Sequence, residues 1–460
     1  MSTKIPTPVL PFDIKDDFTD TNTANYDVST QGDPSIRHYI VGNDLDNTLT
    51  GGDKDDTLYG GLGTNHLNGG KGNDWFITGD PGSGVQNVID GGDGKHDTVD
   101  YSGATGAVTV DLGNHFGFTS GHLDNITGVE DVVGSNFNDI ITGDGGNDTL
   151  NGGFGADILE GGAGADVLRG LGSAGAFGSS IGLDGDNTAS YAHSGEGVTV
   201  NLATGTGSGG DAQGDTLVDI QNLTGSTHDD TLIGDNGDNV LDGGDGKGND
   251  VLEGGGGADT LKGGDGEDTA SYQHATSGVA LSLATGGTGG EAAGDTFDSI
   301  EDVVGSDHKD TITGNGKDNV IDGGKSNDVL DGAGGADTLI GGLGVDTLTG
   351  GAGNDVFKFN SMGESLNAPG AFDTITDFQS FKDGDKFNDK IDLHKIDANT
   401  GVAGNQDFTL VANFTGNAGE VRSFVDQSTG NTIVQAYDGT DTFQVELTGA
   451  HDLTASNFVF

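Results

Sequence analysis

The 460-residue chain has no cysteine, six prolines, two methionines, one tryptophan, and 18 lysines and arginines against 74 aspartates and glutamates. Without cysteine there are neither disulfides nor thiolate metal sites, so zinc fingers, iron–sulfur clusters and cysteine nucleophiles are excluded. The scarcity of basic residues, with a formal net charge of −56, leaves no basic surface for nucleic acid or an anionic membrane. Divalent cations are the natural counter-charge. Only 32% of the residues are hydrophobic, too few for one large globular core. No stretch approaches the run of about 18–20 apolar residues that a membrane span needs. The first residues, MSTKIPTPVLPFDIKDDF, contain three prolines and no apolar run of about 7–15 residues, so no cleavable signal peptide is expected there.

What the chain has instead is glycine, 89 residues of it, placed with a period. Gly152 to Gly170 reads GGFGADILEGGAGADVLRG, two nine-residue units with glycine, aspartate and leucine at matching places. Glycine inside an ordinary element costs roughly 0.5–1 kcal/mol relative to alanine, so something must compensate. From Gly305 six such units run in register, and further blocks of four, four and five begin at Gly42, Gly134 and Gly225, nineteen units in all. One unit of the third block, GGDGKGNDVLE, is two residues longer, and Ala270 weakens the last apolar position there.

The sixth position carries Asp56, Asp74, Asp139, Asp148, Asp157, Asp166, Asp230, Asp250, Asp259, Asp268, Asp310, Asp328, Asp337, Asp346 and Asp355, and the eighth is apolar. Glycines permit tight turns with carbonyls directed inward, aspartate adds a carboxylate, and the next three residues form a short strand with its apolar member inside. Oxygen donors with neither nitrogen nor sulfur suit a hard cation, and many flexible oxygens suit Ca²⁺ better than Mg²⁺. These aspartates, with neighbouring glycine carbonyls, are the expected metal ligands. Asn47, Asn65, Asn239 and Asn319 keep an oxygen there but lose the charge, so weaker sites are expected. A disordered Gly/Asp linker would have no reason to keep this phase.

The units resemble the RTX (repeats-in-toxin, hemolysin-type) calcium-binding nonapeptide G-G-x-G-x-D-x-U-x. The resemblance implies an all-β fold: a parallel β-roll or β-solenoid, two repeats per coil, with multiple Ca²⁺ ions between stacked turns. It also implies export by type I secretion machinery, unfolded in a low-calcium cytosol and folding outside the cell.

A slower repeat lies between the blocks. DTVDYSGATGAVTVDL, NTASYAHSGEGVTVNL and DTASYQHATSGVALSL are in phase at Thr98, Thr188 and Thr269. Alternation in Val108–Leu112, Val198–Leu202 and Val279–Leu283 predicts half-buried strands, with a second apolar step near Ile126, Ile220 and Ile300. The segments 205–214 and 286–294 are expected to project as loops. The paired histidines His193/His274 and His228/His308 follow from duplication of the modules and are not taken as metal ligands.

Twelve of the 21 phenylalanines fall between Phe357 and Phe460, where an ordinary apolar core is expected. NTIVQAYDGTDTFQVELTG predicts a hairpin. DTITDFQSFKDGDKFNDKIDL resembles an element of the C-terminal cap of serralysin-type RTX proteins, here with a longer Lys-containing interruption. The ending LTASNFVF resembles an uncleaved type I secretion signal and is equally compatible with a final strand. The expected organisation is a cap or tail over 1–41, RTX blocks over 42–96, 134–187, 225–268 and 305–358, β modules over 97–133, 188–224 and 269–304, and a cap with secretion signal over 359–460.

No histidine is followed by glutamate, so the protease motif H-E-x-x-H is missing, as are G-x-S-x-G and a phosphate-binding loop. No catalytic residue is expected. The resulting expectation is a secreted, extracellular or cell-surface structural protein that self-associates into a surface layer, filament or biofilm matrix. A secreted effector or pore former, and an accessory that binds a cell-surface polysaccharide, remain open alternatives. In a solenoid each coil touches only its neighbours. Asp157→Ala and Asp337→Ala are therefore each expected to weaken calcium-induced folding of their own block and leave distant blocks unchanged, as read by block-resolved hydrogen exchange.

Overall fold

The computed structural model describes residues 14–17, 25–27, 30, 32–78, 86–119, 121–171, 185–368, 370–380 and 386–460. Most of the N-terminal tail, segment 172–184 and part of the interruption at 381–385 lie outside these, as do the readings made for them. Two compact units are present, Met1–Ser226 and Thr227–Phe460.

In the repeats each unit supplies one strand, commonly of three residues, and each strand pairs in parallel with the strand two units on. Thr149–Gly153 meets Val167–Leu171 with Thr149 opposite Val167, and Ile140–Thr142 meets Ile158–Glu160 with Ile140 opposite Ile158. A coil is therefore 18 residues, two units, and alternate units feed two separate sheets. Strands this short do not persist alone. Their stability comes from the inward column at the eighth position, where Ile141, Leu150, Leu159, Leu168, Leu330, Leu339 and Leu348 are all fully buried.

Where glycine fills the first two places of a unit, as in GGFGADILE, it is needed for different reasons at each. The second takes a left-handed backbone, as at Gly153 (φ 100°). The first is needed for close approach: a Cβ on Gly134 would lie 2.2 Å from the carbonyl oxygen of Gly152 in the next coil. Coil-to-coil stacking thus uses glycine as well as the turn does.

The modules continue the coils. In the first, Val108–Asp111, Phe116–Thr119 and His122–Thr127 form an antiparallel meander, and the last of these rejoins the roll beside Gln86–Asp93. In the second, Thr199–Asn201 pairs antiparallel with Thr206–Ser208 before a 3₁₀ turn, Gly210–Ala212. The third repeats this with Ala280–Ser282, Gly286–Gly289 and Gly290–Ala292. Segments 205–214 and 286–294 are thus not simply projecting loops: their turns fold back, and Ala212 and Ala292 are fully buried. Ile126 sits in a strand, whereas Ile220 and Ile300 are buried between strands.

At the C-terminal end of the second unit both sheets are extended by other elements. Thr347–Thr349 pairs with Asp373–Ile375, which pairs with Thr442–Leu447 of the hairpin. Val356–Lys358 pairs with Lys390–Asp392, which pairs with Phe458–Val459. The final residues are thus a strand in the sheet. Phe359 and Phe443 are buried there edge to face, with ring centroids 4.8 Å apart.

Gly134→Ala places a methyl against main chain that cannot move alone, and a destabilisation of about 1–3 kcal/mol is expected. Gly145→Ala, whose Cβ would meet nothing within 4 Å, is expected to be neutral or slightly stabilising in the same calcium-dependent melts.

Candidate metal centre: a ladder of buried carboxylates

All fifteen sequence-predicted aspartates fall on a ladder that runs from coil to coil. The main-chain N–H of one sixth-position residue donates to Oδ1 of its counterpart one coil later. Asp139 donates to Asp157, Asp148 to Asp166, Asp310 to Asp328 and Asp328 to Asp346, each at 2.8 Å, and Asp337 donates to Asp355 at 2.9 Å. In the third block the longer unit stretches the spacing to 20 residues, Asp230 to Asp250 and Asn239 to Asp259, without breaking it. A parallel ladder at the fifth position, such as Ala336 N–H to Asp318 Oδ1 (2.6 Å), runs beside it on the exposed side.

Oδ1 is therefore occupied by protein in these coils. Oδ2 is not: in Asp74, Asp166, Asp259, Asp268, Asp328, Asp337, Asp346 and Asp355 this atom is buried with no hydrogen-bond partner. In Asp148 it is instead Oδ2 that accepts, from the N–H of Asp144 at 2.7 Å, and Oδ1 that is left over. A buried acceptor left unmade costs about 1–3 kcal/mol, and more when charged. A regular series of such atoms suits a positively charged occupant, and without one the carboxyls are driven towards the protonated form. Among the described residues no three His, Asp or Glu side chains converge to hold a metal, so the remaining ligands would be main-chain carbonyls. Carboxylate plus carbonyl oxygen is the donor set of a hard, flexible cation site, and these residues fit Ca²⁺.

The asparagine units serve as an internal control. The Asn65 amide donates to the carbonyl of Gly63 at 3.2 Å, and that of Asn47 to the carbonyl of Leu45. An amide nitrogen thus supplies, within the chain, the positive partner that a carboxylate cannot. The predicted aspartates also differ among themselves. Asp139 and Asp310 have both oxygens occupied, through Ser135 and Ser306 of their own turns and a main-chain N–H from Val108 or Val279. Asp56 accepts from His38 and Gly52. These three need an ion least.

Residues outside the nonapeptides extend the ladder. Asp74 donates to Asp97, Asp166 to Asp215, Asp259 to Asp295, Asp346 to Asp373 and Asp355 to Asp389. Each newcomer is followed two places on by an apolar residue, the same D-x-U pattern, which is the signal that could have found them. In the modules a tyrosine takes over. The hydroxyls of Tyr191 and Tyr272 donate to Oδ2 of Asp215 and Asp295 at 3.1 and 2.7 Å, and Tyr101 does the same to Asp124 at 2.8 Å. The Nδ1 atoms of His193 and His274 lie 2.8 and 2.9 Å from carboxylate oxygens of Glu160 and Glu253, an equivalent contact at each of two modules.

Burial, reinforced by neighbouring carboxylates, raises these acids far above the usual range near 3.8. Without metal Asp337 and Asp148 are pushed up to about 7, Asp74 and Asp328 to about 8, and Asp346 to about 6. Asp373 in the cap reaches about 8.

These features define an all-β solenoid whose coils are joined by buried carboxylates suited to calcium. Residues 41–76, 127–172, 224–247 and 246–270 match the RTX calcium-binding nonapeptide repeat, and residues 286–460 match the peptidase M10 serralysin C-terminal family. The chain carries RTX hemolysin-type calcium-binding repeats and a serralysin-type C-terminal domain. Such repeats bind calcium, and the two features together are those of secreted, type I-exported calcium-binding proteins. No curated protein matches the chain. Similar solved structures include two repeat subunits of the Azotobacter vinelandii mannuronan C5-epimerase. AlgE6R2 is 29% identical over 35% of this chain and 92% of its own, with a TM-score of 0.25. AlgE6R3 is 31% identical over 33% of this chain and 78% of its own, with a TM-score of 0.26.

The raised acids set a pH dependence of opposite sign with and without metal. In chelator, their contribution to folding is fully present below the unfolded value near 3.8 and is lost as pH rises through about 6 to 8. Circular dichroism in chelator is therefore expected to show more β-structure at pH 5 than at pH 8. Calcium affinity should instead fall on acidification from pH 8 to 6, with protons released on binding, as read by titration calorimetry in buffers of different ionisation enthalpy.

Proposed function

We propose that this is a calcium-gated extracellular structural protein, folding on Ca²⁺ after export and assembling into a surface layer, filament or matrix. The observation that carries the proposal is the repeated buried carboxylate oxygen with no donor from the chain. A fold that needs an ion at coil after coil is stable only where the ion is abundant. A site with a Kd of about 10⁻⁴–10⁻³ M gains about 1.4 kcal/mol at tenfold excess and almost nothing at cytosolic calcium. Several such sites together reach the 5–15 kcal/mol or so that separates folded from unfolded in ordinary domains. Fifteen aspartates stand at the sixth position of the repeats in a structural role, which favours a scaffold over a catalyst.

A second reading, a polysaccharide-binding accessory, is favoured by one feature. An open groove of about 620 Å³ in the first unit is lined by Asp111, Asn114 and His115 of the first module and by Glu160, His193 and Asp211 from the next turns. Its carboxylates suit a neutral or amino-sugar chain.

Titration of the purified chain with calcium separates the two readings. A coil-to-β transition by circular dichroism, with concentration-dependent growth in sedimentation velocity and ordered assemblies by negative stain, is expected. The same transition in a strictly monomeric protein that retains oligosaccharides would favour the accessory.

A further inference from the structure

Outward positions on a roll this acidic are expected to be polar, and the seventh position commonly is, as at Thr231, Thr260, Thr311, Thr338 and Thr347. One sheet face in the first unit departs from this. The register sets Leu123 opposite Phe118, Phe118 opposite Thr109, Thr109 opposite Ile140, and Ile140 opposite Ile158. Partners across a ladder point to the same face, so these side chains form one row along the stacking direction, and all but Thr109 are large, apolar and 39–47% exposed. The next row on this face, two residues away on each strand, holds Phe116, Asp111, Thr142 and Glu160. Asp111, Thr142 and Glu160 also line the groove of about 620 Å³ described above, where Asp144, Asp211, His115 and His193 join them and neither lysine nor arginine enters. An apolar platform and an acidic groove thus lie side by side.

We propose that this composite face binds a chain of β-linked amino sugars, laid along the stacking direction with pyranose rings on the apolar row and ammonium groups at Asp111 and Glu160. The inference deepens the polysaccharide-binding reading above, rests on it, and commits it to a cationic sugar. Charge is the first argument. A groove with four carboxylates and no lysine or arginine, on a chain of net charge −56, repels uronates and attracts amines. Spacing is the second. Asp111 and Glu160 are two strand spacings apart, roughly 10 Å, close to the length of two linked pyranose rings. In a two-fold β-linked chain successive rings alternate in orientation, so amines on one edge recur at that interval. The third argument is what the face withholds. Main-chain groups within the sheet are already paired along both neighbours, so an extended peptide cannot add to it as a strand. A sugar chain needs only apolar patches and side-chain acceptors, and the face presents both.

The test is titration calorimetry on the full chain in millimolar calcium, at a mildly acidic pH that protonates sugar amines. The probes are a β-linked glucosamine oligomer, its N-acetylated counterpart, and an oligolysine of the same charge. The glucosamine oligomer is expected to bind about tenfold or more tightly than the acetylated one, and to lose about tenfold in Glu160→Gln and in Ile158→Thr. Threonine is the residue that other coils carry at that seventh position, and the calcium-folding midpoint of both variants is expected to be unchanged. Should Ile158→Thr fold poorly, Phe118→Ser at the exposed hairpin decides. Oligolysine, held by charge alone, is expected to be indifferent to Ile158→Thr. Equal binding of the acetylated oligomer would overturn the cationic assignment and leave the polysaccharide reading standing. Oligolysine that loses affinity in both variants would make the face a docking site for basic peptide, and glucosamine binding untouched by every variant would reduce it to general attraction by a polyanion; either overturns the proposal. Binding of neither sugar would overturn both the proposal and the reading beneath it.

Discussion

A carboxylate that is half satisfied by the chain underlies the whole structure. At the sixth position one oxygen accepts the N–H of the preceding coil, which locks the stacking register, while in many coils the other oxygen is enclosed without a donor. Everything nearby follows from fitting that group between turns. The first glycine must lack a Cβ so that successive turns can touch, a second glycine such as Gly153 takes a left-handed backbone, and the apolar residue two places beyond the aspartate points to the opposite side, into the core.

The chain answers the same electrostatic problem in more than one way. Where asparagine stands at Asn65, its amide bonds a turn carbonyl. Serine hydroxyls and N–H groups satisfy Asp139 and Asp310. In the modules, tyrosine hydroxyls satisfy Asp215 and Asp295. Coils with an unpartnered carboxylate oxygen are thus interleaved with coils completed by protein groups.

Much of this was legible in the primary structure because the physics is local and repeated. A nine-residue period with aspartate and leucine two apart specifies which residue enters the core and which faces the turn, and nineteen copies remove the ambiguity of any one. The Asp-Gly hairpin near Asp438 was equally readable, since its alternation and turn chemistry are local. The continuation of the ladder through Asp97, Asp215, Asp295, Asp373 and Asp389 was harder to see. These residues sit 23 to 49 positions from their partners, so their D-x-U signature falls outside the 18-residue spacing that links successive coils.

By itself, then, the sequence determined the solenoid, its inward and outward positions and the identity of the acidic ladder, because each depends on contacts between a unit and its neighbour at a constant offset. Tertiary structure alone decided which carboxylates lack a partner. That depends on whether a serine, a tyrosine or an amide arrives from elsewhere in the turn or from a coil many residues away. It also decided that Leu123, Phe118, Ile140 and Ile158 share one outer row. An antiparallel meander reverses chain direction between them, and no linear period can align residues across such a reversal.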